Sequence, residues 1–489
     1  MKKFINKIKN NKVLSILSVL IIGLFFILVT RITYAYLAPV INDAQTNVVG
    51  STDTVDDFKF ELGNPLKINA TPTTLKENGT NYTTSTTAKA LLKANSTKKT
   101  ATFNYYVYFQ IKSNTFIYSD GSTPEIILTV TSPNGDEITS IDGLTYGTFN
   151  GVSGFDITTK KGLFNIANNH EITSNSSTTY TTQSWTIKIT YLNLSIDQSA
   201  NFGNSMGVNV YITKNEKKPT LADVCSNGQT LSSCIVAMDG KDDTLYHHTS
   251  ELTNGAGDNS YRYAGASESV NNFVCFGSDE ATCPDANLFR IIGVFGDQTK
   301  VIRAKSVGNK QWHTSADNTW SSSSLNTYLN GEYLTSLGTL AEKIATTTWK
   351  VGGGSWANIG TSVPKTAYQY EVGSSASTTT YDAKIGLMYV TDYYYSASPS
   401  AWTLMGYNSD ATKDYRAAKT TNWLYLGSPE WTLSRESDIT TYAFYVYSTG
   451  AVNYNYVTYS RGVRPSFNLL SSTTYVSGSG SMSDPVRIN

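Results

Sequence analysis

Charge, histidine and cysteine are all scarce in this chain: of 489 residues, 16% are charged, four are histidine and four are cysteine. With 38 basic residues against 38 acidic, the composition is neither that of a disordered polyelectrolyte nor that of a nucleic-acid binder. Recognisable catalytic and phosphate-binding patterns are missing as well. The glycines of "VGGGSW" (Val351–Trp356) lack both the Lys-Ser/Thr of a P-loop and a Gly-x-Gly-x-x-Gly spacing. The carboxylates of "DGKDDT" (Asp239–Thr244) lack the length and terminal Glu of an EF-hand and read as a solvated turn. His313, with Ser315 and Asp317 close by, has no nucleophile elbow, and His170 sits alone in a loop. Ser, Thr, Asn, Gly and Tyr fill the remainder, and the length suits two or three domains.

A long apolar stretch occurs once, in "VLSILSVLIIGLFFILVT" (Val13–Thr30), behind a lysine-rich start. Six basic residues and no acidic ones lie in the first 35, leaving 32 basic against 38 acidic beyond them, a balance of −6. That balance argues against anionic membranes or nucleic acids as partners. The pattern of residues 1–35 is that of an export signal, with Thr33 and Ala35 as small residues for cleavage after Ala35. Eighteen apolar residues also suffice for a retained anchor, so two outcomes stay open, secreted or membrane-anchored, both outside the cytoplasm. Four cysteines suit that compartment. Proximity favours the bridges Cys225–Cys234 and Cys275–Cys283 among the three connectivities. A zinc site completed by His247 and His248 is the rival reading, with spacings far from Cys-x2-4-Cys.

Period two dominates residues 36–215. "FNYYVYFQIK", "PEIILTVTSPNGDEIT" with its Asn-Gly turn, "QSWTIKITYLNL" and "GVNVYITKN" read as strands of an antiparallel β-sandwich, with a short helix at "TAKALLKA" (Thr87–Ala94). "NEKKPT" (Asn215–Thr220) marks a break, after which seven of the eight tryptophans occur. Residues 216–489 therefore form a second domain around an aromatic core. Here "NLFRIIGVFGDQTKVIRAKSV" is a hairpin turning at "GDQ". "WSSSSLNTYLNGEYLTSL" is a serine-capped helix stopping at Gly331, and "TLAEKIAT" is a second short helix. The fold class expected is mainly β in two domains, a β-sandwich followed by an α+β domain.

The ordered segments "LFRIIGVF", "WSSSSLNTYLNGEYLTSL", "AKIGLMYVTDYYYSA", "WLYLGSPEWTLS" and "AFYVYSTGAVNYNYVTYSRGVRPSFNL" carry a resemblance over about Leu221–Asn489. They resemble a domain of unknown function common in surface proteins of gut Firmicutes. That domain is similar in turn to the C-type-lectin-like fold, including formylglycine-generating enzymes and the variable proteins of diversity-generating retroelements. The front half, through "TYAYLAP", resembles TasA/camelysin-type secreted β-sandwiches. Residue by residue the resemblance also subtracts. No cysteine follows Cys283, so the oxidase chemistry is not implied, and Glu-Pro-Asn, Gln-Pro-Asp and Trp-Asn-Asp, the calcium-dependent sugar-reading tripeptides, do not occur.

Six tyrosines fall within "YAFYVYSTGAVNYNYVTYS" (Tyr442–Ser460), just ahead of "RGVRP". Read as a hairpin turning at Ser448–Gly450, the segment places Phe444 and Val446 on the buried face and Tyr445 and Tyr447 on the other. Mixed Tyr and Asn make a poor core and a good contact surface, and the retroelement variable proteins diversify a similar stretch. The expected ligand contacts are Tyr445, Tyr447, Asn453, Tyr454, Asn455, Tyr456 and Tyr459, supported by Trp431, Arg435 and Tyr442. Gly462 and Pro465 shape a turn, and Arg461 and Arg464 pair locally with carboxylates. The expected function is non-catalytic, adhesin-like binding of a protein or glycan outside the cell, with no cofactor and no metal. The alternative is a structural subunit of an extracellular fibre or matrix.

Overall fold

The computed structural model describes residues 56–72, 74 and 79–489; the apolar run Val13–Thr30 and the cleavage point after Ala35 lie outside the described residues. Among the described residues no helix is long and apolar enough to cross a membrane. Strand outweighs helix, 37% to 15%, so the protein is mainly β. The described residues separate into two compact units, one of those up to Thr159 with Phe164–Glu216, the other of Lys160–Leu163 with Lys217–Asn489.

Two sheets build the first unit. One has six strands in the order Asp57–Leu62, Tyr82–Lys93, Thr181–Tyr191, Ile126–Thr131, Val152–Asp156, Thr145–Phe149; the other has four in the order Leu66–Asn69, Ser205–Thr213, Ala101–Asn114, Gly162–Ser174. Alternation explains the core: Ala88, Ala90, Leu92, Trp185, Ile187 and Ile189 are buried while their neighbours on the same strands are less so. The expected helix Thr87–Ala94 is therefore a strand. Its Ala, Leu and Lys favour helix by propensity, but Ala88, Ala90 and Leu92 recur with period two, and burial of that face overrides propensity.

In the second unit an eight-stranded sheet starts with Leu245–His247 and Tyr261–Tyr263, continues through Leu288–Phe295 and Phe273–Cys275, and ends with Val486–Ile488 and Tyr475–Ser477. Leu288–Phe295 also pairs with Gln298–Arg303, which pairs with Ser466–Asn468. A five-stranded sheet follows the order Asn309–Gln311, Ser460–Gly462, Glu430–Arg435, Tyr442–Val446, Val452–Tyr456. Six tryptophans (Trp312, Trp320, Trp349, Trp402, Trp423 and Trp431) are buried, and only Trp356 of the seven in this unit is part-exposed. Ser323 caps its helix by accepting the Asn326 N–H, as the serine run suggests, but Gly331 does not stop it. The chain passes through Gly331 in a wide turn, Leu329–Tyr333, and continues to Ser336: Gly331 does not adopt the left-handed conformation that ends a helix, and Leu329 and Tyr333 on either side are buried.

Of the two expected bridges the structure closes Cys275–Cys283, with Cα atoms 5.8 Å apart. Cys225 and Cys234 are instead buried thiols, which corrects the second pairing. They touch, but the Cys234 thiol and burial together push the Cys225 thiol far above its usual range. Alkylation of the native protein should therefore label neither residue, and alkylation after unfolding without reductant should label Cys225 and Cys234 but not Cys275 or Cys283. Peptide mapping that recovers a Cys225–Cys234 bridge would contradict this.

Candidate functional site

The hairpin Tyr442–Val446/Val452–Tyr456 pairs Tyr442 with Tyr456, Phe444 with Tyr454 and Tyr445 with Asn453. Its turn is closed by the Tyr447 N–H on the Ala451 carbonyl at 2.8 Å and the Gly450 N–H on the Tyr447 carbonyl at 2.9 Å. Glu430–Arg435 flanks it on one side, and Val452–Tyr456 is the free edge of the sheet. Alternation sends Tyr442, Phe444, Tyr454 and Tyr456 to one face and Ala443, Tyr445, Asn453 and Asn455 to the other.

On the first face the rings form a row that extends beyond the hairpin. Tyr407 lies 5.8 Å from Trp356, which lies 4.7 Å from Tyr454. Tyr454 is 5.3 Å from Tyr442, Tyr442 is 4.5 Å from Tyr456, and Tyr456 is 5.9 Å from Tyr459. These are favourable tilted and edge-to-face separations, so the rings hold one another in place. The middle of the row is half-buried, while Tyr407, Tyr456 and Tyr459 are 37%, 45% and 50% exposed. The Tyr456 hydroxyl beside Tyr442 pushes the Tyr442 phenol up from its ordinary value.

The opposite face is closed. Tyr445, 4% exposed, lies under the Arg461 guanidinium, 3.5 Å from its ring centroid, and edge-on to the fully buried Trp431. Burial raises the Tyr445 phenol and lowers the Arg461 guanidinium from their usual values. Tyr447, at the turn, is the exposed ring on this side, and Asn453 and Asn455 are part-exposed.

The asparagines have a separate task. Hydrogen-bonded pairing with Tyr442–Val446 turns the amides of Val452, Tyr454 and Tyr456 outward, where an edge strand has no partner. The Val452 N–H donates to the Gly406 carbonyl at 3.1 Å. Those of Tyr454 and Tyr456 each donate to the side-chain oxygen of the preceding asparagine, Asn453 or Asn455, at 2.8 Å. Each Asn thus closes the edge donor next to it.

Two supports fix the platform. Arg464, 1% exposed, donates Nε–H and an Nη2–H to the two oxygens of Glu430 at 2.6 and 2.8 Å, and Nη2 also reaches the Leu424 carbonyl at 2.6 Å. Arg435 donates to the Gly352 carbonyl at 2.9 Å and to Asn318 at 3.2 Å. The glycine loop that it holds sits against the strand. Gly353 has φ +62°, and a Cβ there would stand 2.0 Å from the Arg435 carbonyl oxygen, so only glycine fits. That strap delivers Trp356 to the row.

Residues 296–471 match the family described as a domain of unknown function, DUF6273. No curated protein matches the chain. The matched segment contains the hairpin, its supports, Trp356 and Tyr407, and stops short of the strands Tyr475–Ser477 and Val486–Ile488 that complete the unit.

All ten residues expected at the contact surface fall on or beside this one sheet, in four different situations. Tyr442, Tyr447, Tyr454, Tyr456 and Tyr459 offer ring surface. Trp431 and Tyr445 are core, Arg435 is a strut, and Asn453 and Asn455 bond the backbone. Trp356 and Tyr407 join the row although neither was expected there, and no local sequence pattern ties them to the hairpin. Tyr445→Ala should therefore cost about 3–5 kcal/mol of stability in thermal or denaturant unfolding, and Tyr459→Ala less than about 1 kcal/mol. Equal losses at the two positions would contradict the assignment of faces.

Proposed function

We propose that this is a non-catalytic, exported or surface-anchored binding protein whose second unit presents the row Tyr407–Trp356–Tyr454–Tyr442–Tyr456–Tyr459 to a protein or glycan outside the cell. The observation that carries this reading is the row itself: six rings in series, half-buried at the centre and exposed at both ends. Aromatic side chains lose little conformational freedom when they contact a partner, and here neighbouring rings have already restricted them. Export rests on the apolar run behind a basic start, and the C-type-lectin-like reading of the second unit rests on the ordered sequence segments. It draws support from the bridge between Thr230 and Thr474, by which the beginning of the unit meets its end.

The fibre-subunit alternative gains nothing from the hairpin edge, because the outward amides that would recruit another strand are occupied. The test is a glycan and protein array probed with the full chain, followed by titration of any partner found against Tyr456→Ala and Tyr459→Ala. Both variants should weaken binding by about tenfold or more while keeping the parent melting temperature. An array without a partner, or a partner bound equally by both variants, would count against the reading.

A further inference from the structure

Of Arg461 and Arg464, both expected to pair locally with carboxylates, the structure pairs only Arg464, with Glu430. Among the described residues Arg461 forms no ion pair. Its guanidinium lies over the Tyr445 ring at 3.5 Å, with the Trp431 ring at 5.1 Å. The Nε is buried without a partner. The terminal nitrogens also lack a hydrogen-bond partner among the described residues, and the residue is part-exposed, so they are where the cation meets solvent. Burial lowers the Arg461 guanidinium, and the groups that offset this are Tyr445, Tyr447 and Tyr459, with no carboxylate among them. Covering Tyr445 explains the stacking and leaves the missing counter-charge unexplained. An apolar side chain would cover that ring without holding an unpaired charge in a half-buried place.

The surroundings of this guanidinium are aromatic and rich in donors. Tyr447, 39% exposed, has its ring 6.0 Å from that of Tyr445, and Tyr459, 50% exposed, precedes Arg461 by two residues. Asn453 and Asn455 are part-exposed on the same face as Tyr445, and their oxygens are taken by the amides of Tyr454 and Tyr456. Only their N–H donors are left over. Lys310, opposite Arg461 in the strand pairing, holds its ammonium over the Tyr328 ring at 3.6 Å. One guanidinium therefore carries the charge of this corner, and apart from two tyrosine hydroxyls the polar groups around it donate.

A neutral guest would leave the guanidinium without a counter-charge, and a cation would be repelled. A single free cation matches a single negative charge, and a carboxylate presents two oxygens that accept side by side from the terminal nitrogens. The exposed rings ask in addition for an apolar C–H face close to that carboxylate. A uronic acid has both, because its carboxylate sits directly on the sugar ring, whereas an acidic amino-acid side chain offers only a short methylene stem. We propose that Arg461 is the centre of a binding site for the carboxylate of an acidic sugar, with Tyr447 and Tyr459 against the sugar ring. The site lies on the face opposite the aromatic row, meets it only at Tyr459, and stands whether or not the row has a ligand.

Saturation-transfer NMR and calorimetry on the full chain test this with glucuronate and galacturonate beside glucose, galactose, N-acetylglutamate and inorganic phosphate. At least one uronate should saturate with a millimolar Kd, its neutral counterpart should bind about tenfold more weakly or worse, and added salt should weaken the uronate. Arg461→Met keeps an apolar cover on Tyr445 and should lose about tenfold or more in uronate affinity. Arg461→Lys, which keeps the charge without the fork, should fall between the two. Tyr447→Ala, at an exposed position where folding is not at stake, should weaken binding at an unchanged melting temperature, and it decides the matter should Arg461→Met fail to fold. Failure of both uronates to saturate, equal binding of the neutral sugars, tighter binding of N-acetylglutamate or phosphate, or undiminished binding by Arg461→Met or Tyr447→Ala would overturn the proposal. None of these outcomes bears on the row, which is read out separately by Tyr456→Ala.

Discussion

The ion pair between Arg464 and Glu430 is the constraint on which the geometry of the second unit depends. Arg464 lies between Ser460–Gly462, a strand of the five-stranded sheet, and Ser466–Asn468, a strand paired into the eight-stranded one. Both of its bonds to Glu430 are buried, and a third reaches the Leu424 carbonyl. Burial opposes the charge on Glu430 and raises its pKa, and Arg464 counters that rise. Removal of either partner would leave the other as an uncompensated buried charge, a loss of about 3–5 kcal/mol. The pair therefore fixes where one sheet stands relative to the other. The hairpin, which reaches the rest of its sheet only through Glu430–Arg435, inherits that position.

From that anchor the row of rings follows in steps. Glu430–Arg435 carries Arg435, Arg435 holds the glycine strap, and the strap presents Trp356 to Tyr454. The alternation of Tyr and Asn along Val452–Tyr456 then has two simultaneous uses. Tyrosines on one face extend the row, and asparagines on the other face close the edge donors of the residues that follow them. An exposed, tyrosine-rich edge strand is an aggregation hazard unless its edge is blunted, and here the blunting is local. A rigid ring surface can thus meet solvent without inviting a second strand.

Much of the fold was legible because it obeys periodicities. The strands around Trp185 and Val130, the hairpin turning at Gly296 and the cap at Ser323 all announce themselves within a few residues. Where the reading failed, the decisive information was non-local. Thr87–Ala94 has the composition of a helix and the burial pattern of a strand. Tyr445 was expected outside because Phe444 and Val446 were assigned the core, yet Trp431 and Arg461 cover it from the second side. Trp356 and Tyr407 stand far from the hairpin in sequence, so nothing in the local pattern joins them to the row. The work of Asn453 and Asn455 depends on their strand being an edge, a property of sheet order.

Hydrogen exchange of individual backbone amides across Tyr442–Tyr456 tests the division of labour between Tyr and Asn most directly. The amides of Tyr454 and Tyr456 face outward, so only the Asn453 and Asn455 side chains protect them. The account predicts that both exchange slowly in the parent protein. In the double variant Asn453→Ala/Asn455→Ala both should exchange quickly, while the inward amides at positions 453 and 455 keep their protection. Rapid exchange of Tyr454 and Tyr456 in the parent protein, or unchanged protection in the variant, would contradict it.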